Sequence, residues 1–359
     1  MRRTALLAAA ATLLGTLAAA PAAHADRPHG PGARAHGPQV RGLDHCTATD
    51  TGSLACRFDV APGTYDVTLV LGGDEAGSTA VTGETRRALL AETVTGAGER
   101  VRRSFTVDVR DPEGEPTGPT GSPGLDLVLG GSAPRVTALR VTPARDARRL
   151  FLVGDSTVCD QPGDPYSGWG QLLPARLRSG IAVANHADSG ESTVTFLENP
   201  ALFDRVEAAI RPGDPVLIQL AHNDKQTDAA TYRANLTTLV ERVRARRGSP
   251  VLVTPIVRRW FNADGTLDNG TALLVNGLGV DHPAEVRALA ATLGTPLVDL
   301  TALTRARVEE LGPEASKALY LTSEKRDNTH TSVRGATEYA ALVAAELRTR
   351  GILPKRLLR

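Results

Sequence analysis

The chain of 359 residues has little charge imbalance, few cysteines and no long apolar run beyond its N-terminal segment. A formal net charge of +1 argues against the broad positive surface that binds nucleic acid or anionic membranes. The absence of another long apolar run argues against a membrane span after the N-terminal segment, because a span takes about 20 apolar residues. No Gly-x-Ser-x-Gly motif occurs, so the commoner hydrolase elbow is absent. The length and the 41% of hydrophobic residues predict two domains with real cores.

The N-terminus has the pattern of a secretory signal peptide. Arg2 and Arg3 form a basic start, an apolar stretch continues to about Ala20, and a small-x-small cleavage site ends at Ala25. The stretch of about 16 residues is shorter than a membrane span, which argues against an anchor. We therefore expect a signal peptide over residues 1–25 and a mature protein that is secreted and extracellular.

The three cysteines fit an oxidising compartment. Cys46 and Cys56 flank a turn that contains glycine, and we expect them to form a disulfide. Cys159 is left over and comes three residues after a candidate serine nucleophile. A catalytic thiol would need an adjacent base, which this position lacks, so a buried packing residue is the preferred interpretation.

The hydrophobic pattern divides the rest of the chain into three segments. Residues 26–42 are rich in proline, glycine and histidine, which is typical of a disordered leader. Residues 43–145 alternate apolar and polar positions between Gly and Pro turns, which predicts a small β-sandwich. Over residues 146–359 short apolar strands alternate with amphipathic helices, which predicts a parallel five-stranded sheet in a three-layer α/β/α domain.

The third segment is expected to place its chemistry at the carboxyl ends of the strands, where open parallel sheets bind ligands. The predicted strands are Leu150–Val153, Ile181–Ala184, Val216–Gln219, Val251–Thr254 and Leu297–Leu300. The predicted helices include Trp169–Arg178, Ala201–Ile210, Thr231–Arg246, Pro283–Thr292 and Val333–Arg348.

Three strand ends carry residues suited to acyl transfer. Ser156 follows the first strand in a Gly-Asp-Ser-Thr stretch, which alone is also an ordinary turn. Gly190 follows the second strand and Asn223 the third. The backbone N–H of a glycine and the amide of an asparagine can bind an oxyanion, although a polar loop cap is the better explanation of each residue taken by itself.

A fourth element lies near the C-terminus, where Asp327 and His330 are three residues apart. This spacing lets one loop carry a carboxylate and the imidazole that it orients, leaving the other ring nitrogen to take a proton from serine. Ser332 has the position of an N-cap for the following helix. Two polar loop residues without a catalytic role are the alternative.

In the order Ser, Gly, Asn and Asp-x-x-His the sequence resembles the SGNH (GDSL-type) hydrolases, and within them the rhamnogalacturonan acetylesterase group. The resemblance implies a flavodoxin-like hydrolase domain, an acyl-enzyme on Ser156, and no cofactor or metal. It also implies His330 as general base oriented by Asp327, with Gly190 and Asn223 in the oxyanion hole. The matching blocks lie between about residues 149 and 347 and are Val153–Thr157, Gly168–Gly170, Asn185–Gly190, Gln219–Asp224, Thr254–Arg259 and Asp327–Ala336.

The resemblance implies an acetylated pectic polysaccharide, rhamnogalacturonan, as the substrate. Its galacturonate is anionic, and the planar guanidinium groups of Arg258 and Arg259 suit carboxylates. Trp169 and Trp260 are candidates for stacking on sugar rings, and His222 is a further candidate contact. Core packing and surface solvation are the alternative explanations for each of these residues.

In the stretches Pro62–Tyr65, Glu84–Arg87 and Phe105–Arg110, the first domain resembles galactose-binding-like jelly-roll modules. Glycan binding and a structural role beside the esterase cleft both remain open, and the scarcity of aromatic side chains in it favours the structural role. We expect a monomer without nucleic-acid or membrane partners.

Three rival functions are a broad-specificity SGNH esterase or lipase, a non-catalytic glycan-binding protein with a decayed hydrolase fold, and a metallohydrolase. Against the first, the chain has no long apolar segment that could form a lid. Against the second, each catalytic position has a suitable residue. The third would use His186, His222 and Asp224, which lack a recognised metal-ligand spacing.

Overall fold

The computed structural model describes residues 40–119 and 121–359. The predicted signal peptide over residues 1–25 and the leader up to residue 39 lie outside the described residues. Strand Val40–Arg41 pairs with Val141 and Arg140, so these two residues, which the prediction assigned to the leader over 26–42, belong to a sheet. Among the described residues no helix is both long and apolar enough to cross a membrane.

The first part of the chain forms two antiparallel sheets, as predicted. One sheet has the strand order β1-β9-β4-β7 and the other the order β2-β3-β8-β5-β6. The strands are β1 Val40–Arg41, β2 Cys46–Ala48, β3 Leu54–Phe58, β4 Gly63–Gly72, β5 Gly77–Gly83, β6 Arg87–Thr95, β7 Arg100–Val109, β8 Leu125–Ala133 and β9 Val136–Pro143.

The core of these sheets follows from the period-two pattern of the strands. Val67, Leu69 and Leu71 on β4 are fully buried, and the residues between them are partly exposed. Leu127 and Leu129 on β8 belong to the same core cluster. Burial of each such side chain contributes about 1.5–3 kcal/mol. This alternation explains why the sequence alone predicted the sheets.

A disulfide joins Cys46 on β2 to Cys56 on β3. The two residues are register partners in the antiparallel pair, which brings their side chains together. The predicted pairing is confirmed.

The second part of the chain contains a parallel sheet of five strands in the order β11-β10-β12-β13-β14. Along β10, Leu150 and Leu152 pack into one core cluster, and Phe151 and Val153 pack into another. Both faces of the strand therefore carry buried apolar side chains, which is why its sequence is a continuous apolar run. The predicted α/β fold is confirmed, with β10 Arg148–Gly154, β11 Ile181–Asn185, β12 Pro215–Gln219, β13 Ser249–Val253 and β14 Leu297–Val298.

Eight α-helices occur in the described part of this segment, and two predicted boundaries are wrong. The predicted helix Trp169–Arg178 ends after one turn, and a 3₁₀ turn with Pro174 replaces the rest. The predicted strand Leu297–Leu300 ends at Val298, because Asp299 caps a helix that the sequence analysis missed. The helices are α1 Trp169–Leu172, α2 Thr193–Glu198, α3 Phe203–Ala209, α4 Ala229–Ala245, α5 His282–Leu293, α6 Leu300–Ala315, α7 Thr322–Lys325 and α8 Val333–Thr349.

A buried ion pair joins the antiparallel sheets to the parallel one. Arg87, at the start of β6, is 1% exposed, and its Nε donates to Asp160 Oδ2 at 2.6 Å. The other guanidinium nitrogens donate to the carbonyls of Asp108 and Glu113. Asp160 Oδ1 accepts from Asn185 Nδ2 at 2.8 Å, so this carboxylate is bound from both parts of the chain.

We expect Arg87→Met to lower the free energy of unfolding by about 3 kcal/mol or more, because it leaves the buried Asp160 carboxylate without its main partner. Arg100→Gln is the matched control, since Arg100 pairs with an exposed carboxylate and should cost at most about 1 kcal/mol. Urea denaturation measures both. Equal losses for the two variants would contradict a structural role for the buried pair.

Candidate active site

A chain of two hydrogen bonds joins three residues from opposite ends of the second segment. Ser156 Oγ lies 2.9 Å from His330 Nε2, although 174 positions separate the two residues. His330 Nδ1 lies 2.6 Å from Asp327 Oδ2. The carboxylate therefore fixes a proton on Nδ1 and leaves Nε2 free to accept the serine proton.

Local sequence explains how each of these residues is presented. Ser156 stands in the turn directly after β10. His330 precedes α8, which begins after the predicted N-cap Ser332, whose Oγ accepts from the N–H of Gly335. The backbone N–H groups of Thr329 and His330 both donate to Asp327 Oδ1, which closes a tight turn around the carboxylate.

These hydrogen bonds also determine the charge of Asp327. Partial burial by itself would raise the pKa of this carboxyl, but the His330 ring and the two backbone donors outweigh it and lower the pKa to about 2. Asp327 is therefore a carboxylate at neutral pH, which is the form that orients and stabilises a protonated imidazole.

A second buried carboxylate, that of Asp155, holds the nucleophile turn. Its Oδ1 accepts from the backbone N–H and the hydroxyl of Thr157, and its Oδ2 lies 3.2 Å from His222 Nδ1. Burial acts to raise the pKa of Asp155, but His222 and the Thr157 donors lower it below the ordinary value. The turn that carries Ser156 is thus tied to the loop after β12.

The two predicted oxyanion-hole residues lie on neighbouring loops. Gly190 is exposed and has a φ of +85°, a conformation that favours glycine. Asn223 Nδ2 donates one hydrogen bond to the carbonyl of Glu191 at 3.1 Å, which joins the two loops. An amide nitrogen has two hydrogens, so one remains for a ligand. Their role as oxyanion donors stays a prediction.

The structure contradicts two of the tentative substrate contacts. Trp169 is 1% exposed and donates its Nε1–H to Gln219 Oε1, so its ring is a core element and has no face for a sugar. Arg259 is buried, and its guanidinium binds Ser316, Asn328 and the carbonyl of Pro313.

Of the other tentative contacts, His222 is buried, Arg258 is partly exposed and Trp260 is exposed. Trp260 is 53% exposed and available for stacking. Arg258 donates to the carbonyl of His222 at 3.1 Å, which places it beside the oxyanion loop. Cys159 is buried, lies 3.7 Å from the carbonyl of Ser156 and has its pKa raised by burial, as expected of a packing residue. Within the described residues no cluster of three or more histidine, cysteine or acidic side chains is arranged to hold a metal ion.

Sequence reasoning missed residues that support the nucleophile and the base. The Tyr166 ring packs edge-on against the His330 ring, with centroids 5.5 Å apart. Gln161 Nε2 donates to the carbonyl of Ser156 at 2.9 Å. Tyr166 stands two positions before the block Gly168–Gly170 and Gln161 five positions after Ser156, and this closeness to the matching blocks is the signal that could have identified them.

The sandwich also reaches this site. Glu115 Oε1 accepts from the N–H of Ser189, the residue before Gly190, at 2.8 Å. The N–H of Thr117 donates to Asp188 Oδ2 at 2.8 Å. The loop between β7 and β8 therefore holds the loop that carries Gly190, and no local signal in its Pro/Gly-rich sequence could have revealed this long-range contact.

The lowered pKa of Asp327 makes a contribution to stability that depends on pH. The carboxylate interactions are fully present above the ordinary pKa of 3.8 and are lost as the pH falls through about 2. We expect the difference in free energy of unfolding between the wild type and Asp327→Asn to shrink as the pH falls from 5 to 2. Urea denaturation at each pH measures it, and Asp59→Asn is the control. A difference independent of pH would contradict the ion pair.

Similarity to known proteins identifies the family of the chain. Residues 152–348 match the model of the GDSL-like Lipase/Acylhydrolase family. Rhamnogalacturonan acetylesterase RhgT of Bacillus subtilis (strain 168) is 36% identical over 220 residues, which cover 57% of this chain and 91% of RhgT. The probable rhamnogalacturonan acetylesterase YesY of the same organism is 31% identical over 217 residues, 57% of this chain and 95% of YesY.

Structural similarity extends over more of the chain. The crystal structure of Bacillus subtilis YxiM, at 26% identity, covers 84% of this chain and 81% of that one, with a TM-score of 0.52. Together with the family match and the two acetylesterase relatives, this similarity shows that the chain is an esterase. It belongs to the GDSL-like lipase/acylhydrolase family, also called the SGNH hydrolases, and within that family it groups with the rhamnogalacturonan acetylesterases.

Proposed function

We propose that this protein is a secreted carbohydrate esterase that removes acetyl groups from rhamnogalacturonan through an acyl-enzyme on Ser156. The observation that carries the proposal is the hydrogen-bond chain from Ser156 Oγ through His330 to Asp327, with distances of 2.9 and 2.6 Å. Similarity to RhgT, a rhamnogalacturonan acetylesterase, and to YesY, a probable one, supports acetylated rhamnogalacturonan as the substrate class.

The geometry supports a two-step acyl transfer. Ser156 Oγ attacks the acetyl carbonyl while His330 Nε2 takes its proton, and His330 then returns the proton to the departing sugar hydroxyl. Water next attacks the acetyl-serine ester and loses a proton to His330, which returns that proton to Ser156 Oγ as acetic acid leaves. The negative charge of His330's partner, Asp327, stabilises the imidazolium that forms in both steps.

The developing oxyanion needs donors that are already in place. We assign this role to the backbone N–H groups of Ser156 and Gly190 and to the free amide hydrogen of Asn223. The bond from Asn223 to the Glu191 carbonyl and the bond from Ser189 to Glu115 hold the two loops in position before substrate arrives. Preorganised donors stabilise charge without a reorganisation cost during the reaction.

Secretion is supported by the N-terminal signal pattern and by the Cys46–Cys56 disulfide, because disulfides persist in oxidising compartments. Expression in a secreting host, followed by determination of the N-terminus of the exported protein, tests the predicted cleavage after Ala25.

We expect Ser156→Ala to lower the rate of acetate release by at least ~10³-fold, as removal of a triad nucleophile does elsewhere. Acetate release from acetylated rhamnogalacturonan, compared with acetylated xylan and 4-nitrophenyl esters of different chain length, measures activity and selectivity together. Ser104→Ala on β7 is the control. A preference for long acyl chains would favour the rival lipase function, and full activity of Ser156→Ala would exclude the serine mechanism.

We expect Asn223→Ala to lower kcat by about 10²–10³-fold with little change in KM, because an oxyanion donor acts mainly in the transition state. Steady-state kinetics with acetylated rhamnogalacturonan or 4-nitrophenyl acetate separate the two parameters. Asn262→Ala, on an exposed turn, is the matched control. A change confined to KM would contradict the assignment.

A further inference from the structure

A turn of the sandwich reaches the segment that lies between the nucleophile and the general base. This turn, residues 84–86, connects β5 to β6. Glu84 and Arg86 have φ angles of +52° and +55°, which few residues with a side chain adopt. Such backbone strain persists only where surrounding contacts hold it, and it is concentrated at functional sites. The turn thus presents Arg86 in a conformation that the contacts of its side chain must stabilise.

The guanidinium of Arg86 binds both ends of one segment, residues 161–166. Its Nη1 donates to the carbonyl of Gln161 and to the carbonyl of Tyr166, each at 3.0 Å. Its Nη2 forms an ion pair with Asp164, which lies between them. The planar fork of arginine suits such a set of acceptors, and hydrogen bonds from a charged donor are stronger than neutral ones. One side chain from the sandwich therefore holds segment 161–166 at both ends.

Segment 161–166 contacts the nucleophile at its first residue. Gln161 Nε2 donates to the carbonyl of Ser156 at 2.9 Å. The amide of Gln171, which is 1% exposed, donates to the carbonyl of Gln161 at 3.0 Å and to the carbonyl of Thr85 at 2.8 Å. A second hydrogen-bonded connection thus joins the sandwich turn to the residue that holds Ser156.

The same segment contacts the general base at its last residue. The Tyr166 ring packs edge-on against the His330 ring, with centroids 5.5 Å apart. The following residue, Ser167, donates its N–H to the carbonyl of Thr331 at 3.2 Å and accepts from the Thr331 hydroxyl at 2.5 Å. These contacts fix the ring of His330 on one side and its chain neighbour on the other.

Proton transfer depends on the distance between the two catalytic side chains. Ser156 Oγ and His330 Nε2 are 2.9 Å apart, although the residues stand on loops separated by 174 positions. Segment 161–166 contacts both residues. A misplacement of about 1 Å, caused by a substitution away from the reacting atoms, can lower a rate by about 10²-fold.

From these contacts we infer that Arg86 is a positioning residue for catalysis. It holds segment 161–166, and through Gln161 and Tyr166 it keeps the nucleophile and the base at proton-transfer distance. The inference rests on the proposed function, since it takes Ser156 and His330 as nucleophile and base. The sandwich is then a working part of the esterase.

The rate constant for modification of Ser156 by phenylmethanesulfonyl fluoride tests this inference. In that reaction Ser156 Oγ bonds to the sulfonyl sulfur, fluoride leaves, and the serine proton passes to His330. A smaller folded fraction lowers the amplitude of the reaction and leaves its rate constant unchanged, so a loss of stability alone does not move it. We expect Arg86→Met to lower the rate constant by about 10–100-fold. The kcat for 4-nitrophenyl acetate should fall in parallel, while KM changes by less than about twofold.

Two further variants show whether the guanidinium acts as a hydrogen-bond donor. Arg57→Met is the matched control, because Arg57 also belongs to the sandwich and binds one carboxylate and one carbonyl, those of Asp126 and Pro123. It should keep the wild-type rate constant. Arg86→Lys retains a cationic donor for the two carbonyls and should give a rate constant between those of the wild type and Arg86→Met.

Tyr166→Leu removes the ring that contacts His330 and should also lower the rate constant, which keeps the test valid if Arg86→Met does not fold. A wild-type rate constant in Arg86→Met or, where that variant does not fold, in Tyr166→Leu would overturn the inference. Equal rate constants for Arg86→Lys and Arg86→Met would do the same. A wild type that does not react with the sulfonyl fluoride, together with full acetate release by Ser156→Ala, would instead overturn the serine mechanism of the proposed function.

Discussion

The site depends on one constraint: neighbouring strands of the central sheet run parallel, so the loops at their carboxyl ends meet at a single edge. Ser156 follows β10, Gly190 follows β11 and Asn223 follows β12, and these are the three adjacent strands β11-β10-β12. Antiparallel pairing of any one of them would send its loop to the opposite edge. The esterase chemistry is therefore a property of strand direction as much as of residue type.

Buried carboxylates hold these loops in position relative to one another. Asp155 connects the nucleophile turn with His222 on the loop after β12, and Asp160 connects the segment after that turn with Asn185 on β11. Asp160 is also bound by Arg87 from the sandwich, and Glu115 of the sandwich binds the loop that carries Gly190. The sandwich thus contacts the loop that carries Gly190 and the segment after the nucleophile turn, and its structural role stays a prediction.

Much of the fold was predictable because burial leaves local patterns. β4 alternates and β10 is continuously apolar, since one is buried on one face and the other on both. The triad was predictable because Ser156, Asp327 and His330 each stand at a strand or helix boundary in a recognisable block. Trp169 and Arg259 were assigned wrongly as substrate contacts, because residue type and block membership do not reveal whether a side chain points into the core or into the cleft.

By itself the sequence determined the fold class, the Cys46–Cys56 pairing and the identity of the residues that form the triad, because each leaves a periodicity, a spacing or a short motif along the chain. Only the tertiary structure decided that Glu115 and Arg87 reach the esterase loops and that His222, Lys225, Arg258 and His282 surround one cavity. Such contacts join residues tens of positions apart. They depend on how whole helices, strands and loops pack, and no local sequence pattern specifies those packing distances.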